Sequence, residues 1–180
     1  MRITDSRYDR DRLRLTVAYR LICHEARTHT IRQCTGLSGD RIRKLYRNYM
    51  AGVPERPIRR RRGKSPRQMS YFRRSPAHEL QAATIGTMLS LCGLLGRRQV
   101  LHRPTIEEVA RFCDVYETFV SLCPCAVITL EHAWYLLQVL AYADEFVLAR
   151  CPDCQAVWIR DVLDLLPDNC VACRSNALPD

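Results

Sequence analysis

Residues 146–174 read FVLARCPDCQAVWIRDVLDLLPDNCVACR, and the two Cys-x-x-Cys pairs in this stretch decide the C-terminal end of the chain. Cys151 and Cys154 form one pair, Cys170 and Cys173 the other, with 15 residues between the pairs. A Cys-x-x-Cys brings two sulfurs onto one tight turn, and two such turns complete the tetrahedron of soft ligands that Zn²⁺ favours. The flanking runs 146–148 and 156–159 are rich in strand-forming residues. The expected unit is therefore a β-hairpin clamped by metal. A redox Cys-x-x-Cys would need a βαβ setting and a single pair. A catalytic zinc keeps one position open, whereas here cysteine fills all four, so one structural Zn²⁺ per chain is expected. Arg150, Arg160 and Arg174 are placed to offset the net negative charge of four thiolates around the ion.

Upstream, residues 77–145 carry helical periodicity. Ser75 and Pro76 suit the N-cap and first position of a helix. Leu80, Ala83, Ile85, Met88, Leu89 and Cys92 make that helix apolar on most sides, which predicts burial on more than one face, and Gly93 and Gly96 end it. Thr105 and Glu108 have capping-box spacing, followed by a stripe of Val109, Phe112, Cys113, Tyr116 and Val120. Beyond Cys123-Pro124-Cys125, Thr129 can cap a further helix lined by Leu130, Trp134, Leu137 and Leu140.

Towards the N-terminus the charge pattern dominates. Between Arg56 and Arg74 lie nine basic residues and no acid, which equals the +9 formal charge of the whole chain. The polyanion affinity is thus concentrated in one segment, whose Arg59, Arg60, Arg61, Arg62, Lys64 and Arg67 suit phosphate contacts or minor-groove insertion. Four of the nine prolines fall within 53–76, which reads as a basic linker or extended arm. Before it, residues 28–49 read THTIRQCTGLSGDRIRKLYRNY. Gly36 can make the sharp turn of a helix-turn-helix, Leu37, Ile42 and Leu45 can face inward, and Ser38 can cap the second helix. Arg41, Arg43, Lys44 and Arg47 then lie on its remaining surface, within reach of phosphates or guanine edges. Arg32 stands four residues before the glycine, where such motifs usually carry a small side chain, and must snorkel outward. Val17, Ala18, Leu21 and Ile22 mark an earlier helix starting near Leu13, and residues 1–12 read as a charged tail.

The expected architecture is mainly α. A helical body holds a helix-turn-helix-like segment and ends in a small C-terminal β-hairpin zinc ribbon. Its parts are a tail (1–12), the helix-turn-helix region (13–52), the basic arm (53–76), the helical core (77–145), the zinc module (146–175) and a short tail (176–180). The longest uncharged stretch, residues 80–96, spans 17 residues and includes three glycines, too few and too polar for a membrane span. A cytoplasmic protein without a membrane partner is expected. The six cysteines outside the pairs (Cys23, Cys34, Cys92, Cys113, Cys123 and Cys125) read as small buried apolar residues. The five histidines show no ligand spacing, and no phosphate-binding, dinucleotide, zincin or nucleophile-elbow motif occurs, so no catalytic residue is assigned and the chain is read as a non-enzyme.

The order of LSGDRIRKLYR at 37–47, Cys123-Pro124, Ala133-Trp134 and the four C-terminal cysteines resembles the flagellar transcriptional activator family known as FlhC. The resemblance runs from about residue 13 to 174. It implies an α-helical protein whose Cys151, Cys154, Cys170 and Cys173 hold zinc. It also implies a heteromeric complex with a small helical partner, FlhD, that binds promoter DNA and activates class II flagellar promoters with RNA polymerase. The family's arm is less arginine-dense than the IRRRRGK found here, which leaves room for a paralogue controlling genes other than motility. A zinc-ribbon adaptor for protein assembly is the alternative from a different class.

Overall fold

The structure, a computed structural model, describes residues 2–50, 58–95, 104–142, 145–165 and 169–176. It is mainly helical and divides into two compact units, Met1–Pro66 with His102–Asp114, and Arg67–Leu101 with Val115–Asp180.

In the first unit, helix α1 spans Arg2–Cys23 and buries Val17, Ala18, Leu21 and Ile22, the face anticipated from their spacing. It begins eleven residues earlier than Leu13, so the segment 2–12 is helix rather than tail. Alternating arginine and aspartate explain this: Asp11 pairs with Arg14 at 3.2 Å one turn on, and such pairs support a helix whose faces are solvated. The helix ends with Glu25 N–H donating to Ile22 O and Ala26 N–H to Leu21 O, both at 2.9 Å. This pair of hydrogen bonds goes with Glu25 in the left-handed region at φ 58°.

Helix α2 (Thr28–Thr35) stops at Gly36, whose φ of 70° is the conformation a glycine takes without strain. Leu37 turns inward, Ser38 accepts the Arg41 N–H at 3.3 Å, and α3 runs over Gly39–Met50. Ile42 and Tyr46 are buried on α3, while Leu45, expected inside, is half-buried. Tyr46 also donates its hydroxyl to Ala26 O at 3.1 Å, tying α3 to the corner before α2. Arg32 is exposed, so its length meets no obstacle. Helix α5 (Ile106–Leu122) starts in this unit. Its capping box forms both reciprocal bonds, Thr105 N–H to Glu108 Oε2 at 2.8 Å and Glu108 N–H to Thr105 Oγ1 at 3.2 Å.

The second unit opens with a 3-10 turn, Met69–Arg73. The arm read over 53–76 is therefore shorter than its composition suggests. Phe72 is only 2 % exposed, and Tyr71 stacks on His132 with ring centroids 3.6 Å apart. The aromatic pair anchors chain that the surrounding arginines mark as linker. Residues 53–57 and Gly96 lie outside the described residues. Helix α4 (Pro76–Leu91) is capped by Ser75 as expected, and buries Ala82, Ala83, Ile85, Gly86 and Leu89. Helix α6 (Leu130–Tyr142) buries Leu130, Ala133, Trp134, Leu136, Leu137 and Leu140. Strands β1 (Phe146–Arg150) and β2 (Val157–Asp161) pair antiparallel with Leu148 opposite Ile159. A Cβ built on Gly86 would lie 3.0 Å from Leu148 Cδ2 and 3.2 Å from Leu140 Cδ1, so this glycine lets α4 approach both the hairpin and α6. A short helix, α7 (Val171–Asn176), closes the unit. No helix among the described residues is long and apolar enough to cross a membrane.

Candidate metal centre and basic surface

The hairpin ends where β1 runs into Cys151. Cys151 N–H donates to Ala156 O, and Gln155 N–H returns to Cys151 O, both at 2.9 Å. Gln155 takes a φ of 60° to make this turn. Cys154 sits on the turn, Cys170 precedes α7, and Cys173 lies within it. The four sulfurs all lie within 4.8 Å of one another, and Cys154 Sγ is 3.6 Å from Cys170 Sγ. A tetrahedron with Zn–S bonds of about 2.3 Å has edges of about 3.8 Å, so the set fits a thiophilic ion of that size. The Cys170 N–H points at Cys151 Sγ at 3.3 Å.

The electrostatics point the same way. Backbone N–H groups, of Cys154 first and then Cys170, hold the Cys151 thiol down to about 6. Cys173 moves in the opposite direction because its thiol hydrogen-bonds to the sulfurs of Cys154 and then Cys170, which favours the protonated form. Thiolates this close cannot all ionise without a cation among them. The structure thus brings together all four sequence-derived ligands as a cluster able to hold a metal ion. Of the three arginines expected to offset its charge, Arg174 packs its guanidinium 5.2 Å from the Trp158 ring centre, Arg160 is half-buried and Arg150 is exposed. Trp158 Nε1 is buried and has no hydrogen-bond partner among the described residues.

Beside this centre, within the same unit, lies an apolar cavity of about 320 Å³ whose walls include Met69, Phe72, Leu80, Phe146, Trp158 and Ile159. Glu79, Arg73 and Arg174 stand at it. Burial raises the Glu79 carboxyl above its ordinary value, and the two guanidinium groups only partly oppose that.

All the basic residues singled out in the sequence for DNA contact are exposed: Arg41, Arg43, Lys44 and Arg47 on α3, then Arg59, Arg60, Arg61, Arg62, Lys64 and Arg67. Arg67 belongs to the second unit and the others to the first. Arg43, Arg47 and Arg60 share one concave surface with Asp40 and Tyr46, and Arg43 is paired with Asp40. Arg60, Arg61 and Arg62 line a second with Arg27, Thr28 and His29. Arg41, Lys44 and Lys64 line neither of these surfaces. The arm is not loose where it passes α2. Glu25 accepts the Arg59 N–H at 3.2 Å and pairs with Arg61 at 2.8 Å. The roles of Glu25, Arg27 and Tyr46 were not legible from sequence, since their contacts join residues that lie apart in the chain.

The other six cysteines divide. Cys34 and Cys113 are buried as expected, Cys23 and Cys123 are half-buried, and Cys92 and Cys125 are exposed. Cys125 lies on a loop clamped by Gln81, which donates to Cys125 O at 3.3 Å and accepts the Val127 N–H at 2.9 Å. Neither models of known protein families nor curated proteins give a match to this chain.

Proposed function

We propose that the chain is a DNA-binding subunit of a heteromeric transcription activator, with one structural Zn²⁺ held by Cys151, Cys154, Cys170 and Cys173. The observation that carries this reading is α3. It follows a glycine turn, buries Ile42 and Tyr46, and exposes Arg41, Arg43, Lys44 and Arg47 on its outer surface. A helix presented in this way fits a major groove, and arginine forks match guanine edges and phosphates. The arm beside it adds sequence-independent phosphate affinity. The finer reading rests on the resemblance to FlhC: a helical FlhD-like partner, RNA polymerase recruitment and class II flagellar promoters.

A second reading, an assembly adaptor, has one observation in its favour. The cavity beside the cysteine centre is lined mainly by apolar side chains, including Leu80 at 69 % exposure. A gel-shift titration of promoter duplex, with the chain alone and with a helical partner subunit, separates the two. A saturable shift that discriminates promoter from random duplex supports the activator. Partner binding without any shift supports the adaptor.

A further inference from the structure

Glu25 is an acid set against the basic arm, in a backbone conformation that a glycine would take without strain. At φ 58° its Cβ is crowded, and the position, two residues past the last helical residue Cys23, is the one where glycine is most often found. Its carboxylate grips the arm twice, through the Arg59 N–H and the Arg61 guanidinium. Between those two residues, Arg60 is held from both sides. Its guanidinium lies 5.5 Å from the Tyr46 ring centre and donates to Thr28 Oγ1 at 3.4 Å. Tyr46 is itself buried and fixed by its hydroxyl bond to Ala26 O.

Arg60 therefore stands on the wall shared by two basic concavities. One contains Arg43 and Arg47 of α3; the other, of about 330 Å³, contains Arg27, Arg61 and Arg62. A disordered cationic tail would need no such fixing, because phosphate attraction alone requires only charge. Fixed guanidinium forks lose less freedom on binding and match phosphate oxygens in pairs.

We propose that α3 and the arm form one continuous phosphodiester-binding track, joined at Arg60, and that Glu25 is the positioning residue that holds the arm in register. The ligand class rests on the nucleic-acid reading above. Loose electrostatics and a preorganised track predict opposite signs for the removal of Glu25. Deleting a negative charge from a basic surface strengthens attraction to a polyanion, whereas releasing the arm weakens a track that depends on its order.

The test uses the full chain and fluorescence anisotropy with a labelled duplex, comparing wild type with Glu25→Gly and Glu25→Gln. Glycine removes both grips and the strain, so the variant should melt no lower than wild type. Its duplex affinity should fall about five- to tenfold. Glutamine keeps an acceptor for the Arg59 N–H and should fall between. In parallel, inorganic phosphate is titrated while the amides of Thr28 and His29 and the side-chain N–H of Arg60 and Arg62 are followed by NMR. A saturable response in wild type, weakened in Glu25→Gly, is expected. If Glu25→Gly binds duplex as tightly as wild type, or more tightly, the track is overturned and nucleic-acid binding stands. If wild type takes up phosphate at these residues yet ignores duplex, the nucleic-acid reading falls and the track falls with it.

Discussion

Stripping metal from the cysteine centre should melt the hairpin and leave the helices standing. The hairpin has two strands of five residues each, and an isolated hairpin of this kind is marginal in water. Besides the proposed metal, packing on α4 and α6 holds it, with Leu148 half-buried against Gly86. Burying a leucine side chain contributes about 1.5–3 kcal/mol. A four-cysteine zinc contributes on the order of 10–16 kcal/mol of apparent binding free energy near neutral pH, comparable to the whole stability of an ordinary domain. The packing cannot replace a contribution of that size, so Cys170→Ser or a strong chelator should unfold β1, β2 and α7. Helices α4 and α6 bury their own apolar faces and should persist. The reporter is Trp158 in a Trp134→Phe background, which leaves it as the single tryptophan. On chelation its emission should shift to the red while helical circular dichroism is largely kept. Acidification should do the same, because protons compete with metal for thiolate. If native mass spectrometry shows metal lost while Trp158 emission and the melting temperature stay unchanged, the metal does not hold this module.

Two further expectations concern the second unit. Phe72→Ala should destabilise by about 3–5 kcal/mol by thermal melting, since the side chain is buried, whereas a flexible arm would show almost no change. Glu79→Gln tests the raised carboxyl. Burial penalises its ionised form, so the stability this group lends is present below its ordinary titration range and is lost as pH rises through its folded value. The glutamine variant should therefore melt higher than wild type near pH 7, with the gain shrinking as pH falls into the carboxylate range. An equal difference at both pH values would show that ionisation is not the cause.

What was legible in the sequence is what depends on short spacing. The Cys-x-x-Cys pairs foretold a hairpin, because two close sulfurs demand a tight turn. The Thr105–Glu108 box and the Ser75-Pro76 start each formed the bonds their spacing implies. Gly36 fell where a left-handed residue was needed. What was hidden depends on distance or competition. Charge density disguised residues 2–12 as tail, although alternating signs support a helix there. The same density concealed Phe72, whose burial no local pattern announces. Glu25 binds residues 34 and 36 positions away, and that contact exists only once α1 has turned into α2. The positions of Arg43, Arg47 and Arg60 around one concavity follow from the same turn.

The most direct measurement is the salt dependence of duplex binding by fluorescence anisotropy, for wild type and for a variant with Arg43, Arg47 and Arg60 replaced by alanine. The expected result is a linear fall of log Kobs with log salt in wild type, and a slope shallower by roughly 0.9 for each phosphate contact removed. Identical slopes for the two proteins, or no duplex binding by wild type with or without a partner subunit, would contradict it.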